Sequence, residues 1–185
     1  MKTVFILILC SLLAVACNKN DSVPPPGSDY LPLEIGNYWK VDDDDYVEVT
    51  GTEVINGQTF FVSRSRNKDG YNPGLQDGNL YFRIDDGKNL IQGYKNQTFT
   101  KNIADFTLAK GRKVNALENP TVTEKTAGYI TFRYDCMICS QSNTYYYATF
   151  IRGKGFAERN FMLAGSLSLV KKFTEVKIGG KIYKM

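Results

Sequence analysis

The chain has 185 residues, of which 43% are hydrophobic and 13% aromatic, and its formal net charge is +4 at pH 7. This length suits one folded domain with a substantial core, and so small a net charge, from 23 basic and 19 acidic residues, gives no argument for a nucleic-acid partner. The chain contains no histidine, which excludes histidine-based acid–base and metal chemistry. Two denser basic stretches, 110–113 and Lys171-Lys172, are predicted to be solvated surface.

The N-terminal segment predicts a secretory signal peptide. Lys2 is followed by an apolar run of about 14 residues, whereas a helix needs roughly 20 to span a bilayer. The small residues Ala14 and Ala16 favour cleavage just before Cys17. The next stretch, 18–28, is polar and proline-rich, so we expect an extended tether.

A cysteine at the first mature position resembles the bacterial lipoproteins. The resemblance implies that the Cys17 sulfur is diacylated and that the membrane is a partner through this lipid. The polar residues after Cys17 are similar to those of lipoproteins of the Bacteroidetes type, in which such a start accompanies export to the outer face. We therefore expect a signal peptide (1–16), a lipidated cysteine with its tether (17–29) and one all-β domain (30–185), anchored in the outer membrane and facing the periplasm or the exterior.

Beyond the tether the pattern predicts antiparallel sheet. Apolar and polar residues alternate in 129–134, as expected when successive side chains point to opposite faces of a strand. Asn56-Gly57, Asp86-Gly87 and Gly179-Gly180 mark hairpin turns, and 102–109 fits either a helical turn or a short strand. We expect a single antiparallel meander of about eight to ten strands that closes as a β-sandwich or a partly open barrel.

Four segments carry a second resemblance: YLPLEIGNYWKV (30–41), VTGTEVINGQTFFV (49–62), ADFTLAKGRKV (104–114), and FIRGKGF (150–156) with the tail 167–183. They are similar to motifs of uncharacterised secreted lipoproteins of Bacteroidetes, among them PL-x-x-G-N-x-W. This resemblance implies a compartment and an all-β fold, and it implies no activity.

Aromatic residues supply the candidate ligand contacts. Trp39, in the first strand, is interpreted as a core residue, with a sugar-stacking platform as the alternative. Tyr145, Tyr146 and Tyr147 divide their rings between the two faces of one strand. At least one ring must point outward, where it either covers the sheet or contacts a glycan or peptide.

Four consecutive acids, Asp42, Asp43, Asp44 and Asp45, are a weak candidate for a Ca²⁺ site, because Ca²⁺ takes six to eight oxygen ligands. The run lacks the glycine and distal glutamate of an EF-hand loop. We therefore interpret it as an exposed hairpin end, and we expect no metal and no cofactor.

Cys136 and Cys139 are the remaining thiols once the leader is removed and Cys17 carries lipid. An oxidising compartment favours a disulfide between them, which would staple a hairpin tip between strands predicted over 129–134 and 144–151. So short a loop adds little stability. A reduced pair remains an alternative. A redox site and a metal site are further alternatives, although a redox site would need a helix N-terminus and a zinc site would need two further ligands.

These patterns favour a noncatalytic binding or structural module, held in the envelope by lipid, with a glycan or an envelope protein as its partner. One alternative is a small carboxylate-dependent glycoside hydrolase, which requires two carboxyl groups about 5–10 Å apart. The other is an inhibitor or chaperone that presents a sheet edge to another chain.

Overall fold

The structure is a computed structural model that describes residues 29–43, 45–67, 78–85, 88–116, 119–136, 143–163 and 166–185. The predicted signal peptide, Cys17 and the tether therefore lie outside the described residues, and their roles stay predictions. In the part of the chain that is described, no helix is long and apolar enough to cross a membrane.

The described chain is all-β, as the alternation predicted, and it forms two antiparallel sheets. Its strands in chain order are β1 (Tyr38–Asp42), β2 (Asp45–Ile55), β3 (Gln58–Asn67), β4 (Gly78–Ile84), β5 (Asn89–Gly93), β6 (Lys101–Asp105), β7 (Thr121–Lys125), β8 (Tyr129–Asp135), β9 (Tyr145–Ile151), β10 (Gly155–Leu163), β11 (Ser166–Lys172), β12 (Glu175–Ile178) and β13 (Lys181–Lys184). The prediction of about eight to ten strands was too low. Several strands have four or five residues, a length at which alternation is hard to recognise.

The chain runs as a meander through both sheets. The eight-stranded sheet has the order β13-β12-β1-β2-β3-β4-β5-β6, and the five-stranded sheet has the order β11-β10-β9-β8-β7. The final hairpin thus returns to the first strand, where Val176 pairs with Trp39. Because the two sheets remain separate, the fold is consistent with a β-sandwich and is not a closed barrel.

Two of the predicted hairpin turns are confirmed. Asn56 and Gly57 both have positive φ, at 50° and 74°, and join β2 to β3; Gly179 and Gly180, at 55° and 80°, join β12 to β13. This is the geometry that a two-residue hairpin loop requires. Asp86-Gly87 lies outside the described residues, although the flanking strands β4 and β5 do pair. Segment 102–109, for which the sequence fitted either a helical turn or a short strand, lies mostly in β6 and the turn after it.

Aromatic residues fill much of the space between the sheets. Phe106, Phe132 and Phe150 pack edge to face with centroids 5.1–6.1 Å apart, and Phe156 joins them 5.1 Å from Phe150. Such packing adds specific aromatic contacts to the burial of a large apolar area. The inward face of the five-stranded sheet is therefore fixed by its rings.

The chain passes from the five-stranded to the eight-stranded sheet within two residues. The Phe173 N–H donates to the Ala157 carbonyl of β10 at 2.9 Å, and the Thr174 N–H donates to the Lys40 carbonyl of β1 at 2.7 Å. This crossover places the C-terminal hairpin beside the outward face of the five-stranded sheet.

Candidate functional site

Trp39 is a core residue. It is completely buried, its indole Nε1 donates to the Lys154 carbonyl at 2.5 Å, and it packs at right angles to Phe156. Gly155 has φ +83°, and a Cβ there would lie 2.4 Å from the indole Nε1, so the ring also requires a glycine at this turn. The core interpretation is confirmed, and Trp39 has no ring surface to offer a ligand.

The G-N-x-W motif that contains Trp39 is structural as well. Asn37 is 1% exposed; its amide donates to the Pro32 carbonyl at 2.8 Å and its oxygen accepts from the Gly179 N–H at 3.0 Å. The buried Asn37 side chain thus links the residues just before β1 to the turn between β12 and β13. The motif therefore has a structural role.

The three consecutive tyrosines divide between the two faces, as predicted. Tyr146 faces inward and stacks on Tyr134 at 4.5 Å. Tyr145 and Tyr147 face outward, with their centroids 5.5 Å apart, and the Arg133 guanidinium lies 4.0 Å from the Tyr145 ring centroid. We call Tyr145 and Tyr147 the aromatic pair; Tyr146 packs against the core.

A groove of about 470 Å³, which we call the outer groove, opens on the same outward face. Thr149 and Ile151 alternate along β9 with the buried Ala148 and Phe150, so they share a face with Tyr147. Steps of two residues along a strand are about 7 Å, which makes the aromatic pair and the outer groove neighbours. The described residues that line the outer groove are Tyr129, Thr149, Ile151, Lys154, Ala157, Glu158, Lys172, Phe173, Thr174 and Met185.

The outer groove has mostly apolar walls and a charged rim. Glu158 lies 3.7 Å from the Lys172 ammonium and accepts a hydrogen bond from the Asn160 amide at 2.5 Å. The Met185 N–H donates to the Thr174 carbonyl at 2.9 Å, which holds the last residue at the rim. Apolar walls with a few polar groups at the edge are typical of a small-ligand site.

The carboxylates near the outer groove do not form a close pair. Glu158 is the one acid among its described lining residues. Along the same row of the sheet, Glu124 pairs with Thr131, Thr131 with Thr149, and Thr149 with Glu158. Three strand spacings separate the two backbones by about 14 Å, whereas glycoside hydrolysis requires carboxyl groups about 5–10 Å apart. The hydrolase alternative therefore gains no support from this face.

The last strand, β13, is an open sheet edge. Ile182 and Tyr183 are 58% and 39% exposed, and they are flanked by the exposed Lys181 and Lys184. Lysines on an edge strand disfavour pairing with another chain. The sheet-edge alternative therefore has a strand available but no feature that selects a partner.

The three described acids of the run do not gather into a cation site. Asp43 is exposed and pairs with the Lys40 ammonium at 3.0 Å, Asp42 is exposed, and Asp44 lies outside the described residues. Asp45 turns inward and forms an ion pair with Lys171. Among the described residues, no group of three or more acids or cysteines could hold a metal ion.

Two sequence interpretations are therefore wrong at this point. The acidic run is not an exposed hairpin end throughout, because Asp45 is 5% exposed, and Lys171 is not solvated surface, because it is 4% exposed. Asp45 shares the inward face of β2 with Val47 and Val49, and the ion pair shows that Lys171 of β11 points toward it. Lys172 does remain exposed.

Arg159 and Ser65 lie beside this ion pair, and Ser63 is the next inward residue along β3. Arg159 pairs with Lys171 in register; burial lowers the pKa of its guanidinium, while the nearby Tyr146, Tyr134 and Asp45 act in the opposite direction. Ser63 and Ser65 are 1% and 4% exposed, and neither hydroxyl has a hydrogen-bond partner in the described structure.

Cys136 directly follows β8, and its N–H donates to the Thr144 carbonyl at 3.0 Å. This bond brings together the ends of β8 and β9 as the sequence predicted. Cys139 lies outside the described residues, so the disulfide stays a prediction.

No family model, no curated protein and no solved structure matches this chain. The fold and the outward site define the chain as an all-β sandwich domain with a ligand-sized groove.

Proposed function

We propose that the protein is a noncatalytic binding module of the cell envelope, anchored through lipid on Cys17, that binds its partner on the outward face of the five-stranded sheet. The observation that supports this proposal is the position of the outer groove beside the aromatic pair. A volume of about 470 Å³ falls in the range of small-ligand sites. Aromatic rings next to such a groove add contact area at little cost in conformational entropy.

The chemistry of this face favours a glycan or a short peptide segment as the partner. Ile151, Ala157 and Met185 provide apolar contact in the outer groove, while the aromatic pair offers ring edges and faces beside Arg133. Both ligand classes combine apolar patches with hydrogen-bonding groups. The partner would be an envelope polysaccharide or an envelope protein.

Binding can be tested with the mature protein in detergent, screened against glycans and peptides by isothermal titration calorimetry. We expect Ile151→Lys and the double variant Tyr145→Ala/Tyr147→Ala each to weaken a bound ligand at least tenfold, or by about 1.4 kcal/mol. Phe99→Ala is the matched control, because this 58% exposed ring lies in the β5–β6 loop. Equal loss in the control, or unchanged binding in both site variants, would contradict the proposal.

The anchor has its own test. Metabolic labelling with palmitate should mark the wild type and not Cys17→Ala, and N-terminal analysis should find the leader removed. A labelled Cys17→Ala variant or a retained leader would contradict the lipid anchor.

An oxidising compartment outside the cytoplasm would also favour a disulfide between Cys136 and Cys139. The intact mass of the non-reduced protein should lie about 2 Da below that of the dithiol form, as the loss of two hydrogens requires. Complete labelling of both thiols without reductant would rule the disulfide out.

A further inference from the structure

Part of the interior of the sandwich is polar. We use "polar half" for the group Asp45, Ser63, Ser65, Arg159 and Lys171. Asp45 and Lys171 form an ion pair whose side chains are 7% and 5% exposed, and the pair joins β2 of one sheet to β11 of the other. A charged contact thus spans the space that aromatic rings fill elsewhere.

The strand registers place the other members beside this pair. Arg159 lies directly opposite Lys171. On the facing sheet, Ser65 pairs with Val47, two residues from Asp45 on the same face, and Ser63 pairs with Val49. Ser65 is thus a diagonal neighbour of Asp45, about 7–8 Å away, and Ser63 is the next inward residue of β3, a further two-residue step of about 7 Å from the ion pair.

The polar half combines two cationic side chains and one carboxylate with two enclosed hydroxyl groups. The hydroxyls of Ser63 and Ser65 are enclosed without a partner in the described structure, and each such group costs stability. Cationic side chains together with free O–H donors are the groups that hold an oxyanion.

We propose that the polar half is a binding site for a small oxyanion, the carboxylate or phosphate group of a ligand, which Arg159 and Lys171 bind by charge and Ser63 and Ser65 by hydrogen bonds. Arg159 is half-buried. The stacked rings of Tyr134 and Tyr146 form a wall for the rest of the ligand. This site is separate from the outer groove and goes beyond the function proposed above.

The test is thermal unfolding of the mature protein in detergent with sodium acetate, sodium benzoate or sodium phosphate, each against sodium chloride of equal ionic strength. The protein is refolded in each salt so that slow entry cannot hide binding. We expect a saturable rise in Tm with at least one oxyanion, by about 5–10 °C at roughly 100 times its Kd. Phosphate alone would identify a phosphate site, and acetate or benzoate a carboxylate site.

Variants assign the effect to these residues. Arg159→Met should abolish the rise in Tm, and Ser63→Ala/Ser65→Ala should raise the Kd at least tenfold. Tyr145→Ala/Tyr147→Ala is the matched control; it changes the outward face and should keep the wild-type Kd, which separates this proposal from the outer-groove function.

Two results would overturn the proposal: no saturable rise with any of the three oxyanions, or a rise of equal size in the double serine variant. If Arg159→Met fails to fold, the double serine variant alone tests the proposal. Alanine at positions 63 and 65 removes only hydroxyls that have no partner in the described structure. Circular dichroism verifies that each variant keeps its sheet content.

Discussion

The aromatic half of the interior, formed by Trp39, Phe106, Phe132, Phe150 and Phe156, and the polar half are similarly enclosed but differ in chemistry. Trp39, Phe132 and Phe150 are at most 1% exposed, and each packs against at least one other aromatic ring. Ser63 and Lys171 are 1% and 4% exposed, yet they bring a hydroxyl and a charge into the same sandwich.

This difference separates the aromatic residues that stabilise the fold from the polar residues that we propose bind an oxyanion. Buried rings stabilise by removing a large apolar area from water. A buried ion pair is weak evidence for stability, because the loss of hydration offsets most of the attraction, and enclosed hydroxyls without partners destabilise. Fold stability therefore does not explain why these polar residues are buried, whereas the proposed oxyanion binding does.

The largest effect is expected in the aromatic half. Trp39→Ala should lower the free energy of unfolding by about 4 kcal/mol, because it removes a completely buried ring and leaves a cavity. Urea unfolding followed by circular dichroism measures this. Trp39→Phe is the control and should lose clearly less; an equal loss in the two variants would show that ring volume is not what matters.

The ion pair should show a large effect that a second substitution reverses. Lys171→Met should destabilise by about 3 kcal/mol, because it removes the ion pair between Lys171 and the buried Asp45 carboxylate. Asp45→Asn/Lys171→Met should recover most of this loss. A double variant as unstable as the single one would mean that the pair matters for packing rather than for charge.

The serines should behave in the opposite sense. Ser63→Ala and Ser65→Ala should each raise the free energy of unfolding in chloride buffer by about 1 kcal/mol, because each removes an enclosed hydroxyl that has no described partner. Arg64 alternates with them on the exposed side, so Arg64→Ala is the control and should be nearly neutral. Destabilisation by both serine variants would show that the hydroxyls are satisfied.

The smallest effect concerns alkaline pH and a side-chain hydrogen bond between β1 and β12 of the eight-stranded sheet. The Tyr38 hydroxyl donates to the Glu175 carboxylate at 2.7 Å, and this hydrogen bond, with a smaller effect of burial, raises the pKa of Tyr38 from 10.0 to about 12. Because the folded pKa is raised, the contribution of Tyr38 is complete below pH 10 and is lost as the pH rises toward 12. The wild type should thus lose stability over this window more steeply than Tyr38→Phe.

Chemical unfolding at several pH values between 9 and 12 checks this, with Tyr183→Phe on the exposed β13 as the control. If the free energy of unfolding falls with pH in the same way for the wild type and Tyr38→Phe, the hydrogen bond to Glu175 has no role in this loss.

Local patterns were sufficient to predict the fold class. Alternation in 129–134 placed Ile130 and Phe132 inward, where both are buried, and Asn56-Gly57 marked a hairpin turn that the backbone angles confirm. These signals depend on neighbours in sequence, which is why they could be recognised without the structure.

The polar half was missed for a different reason. Asp45 lies two residues before Val47 on the same face, so the alternation already pointed inward, but a carboxylate is almost never buried without a partner. That partner, Lys171, is 126 residues away, and no local pattern joins them. The outer groove likewise depends on the crossover at Phe173 and Thr174, which brings Met185 beside residues of β8, β9, β10 and β11.

The most direct test compares Ser63→Ala/Ser65→Ala with the wild type by unfolding free energy, first in chloride and then in a saturating oxyanion at equal ionic strength. The account predicts that the order reverses: the variant is more stable in chloride, and the wild type is more stable once the oxyanion is bound. The same order in both solutions would contradict the claim that the polar half serves binding.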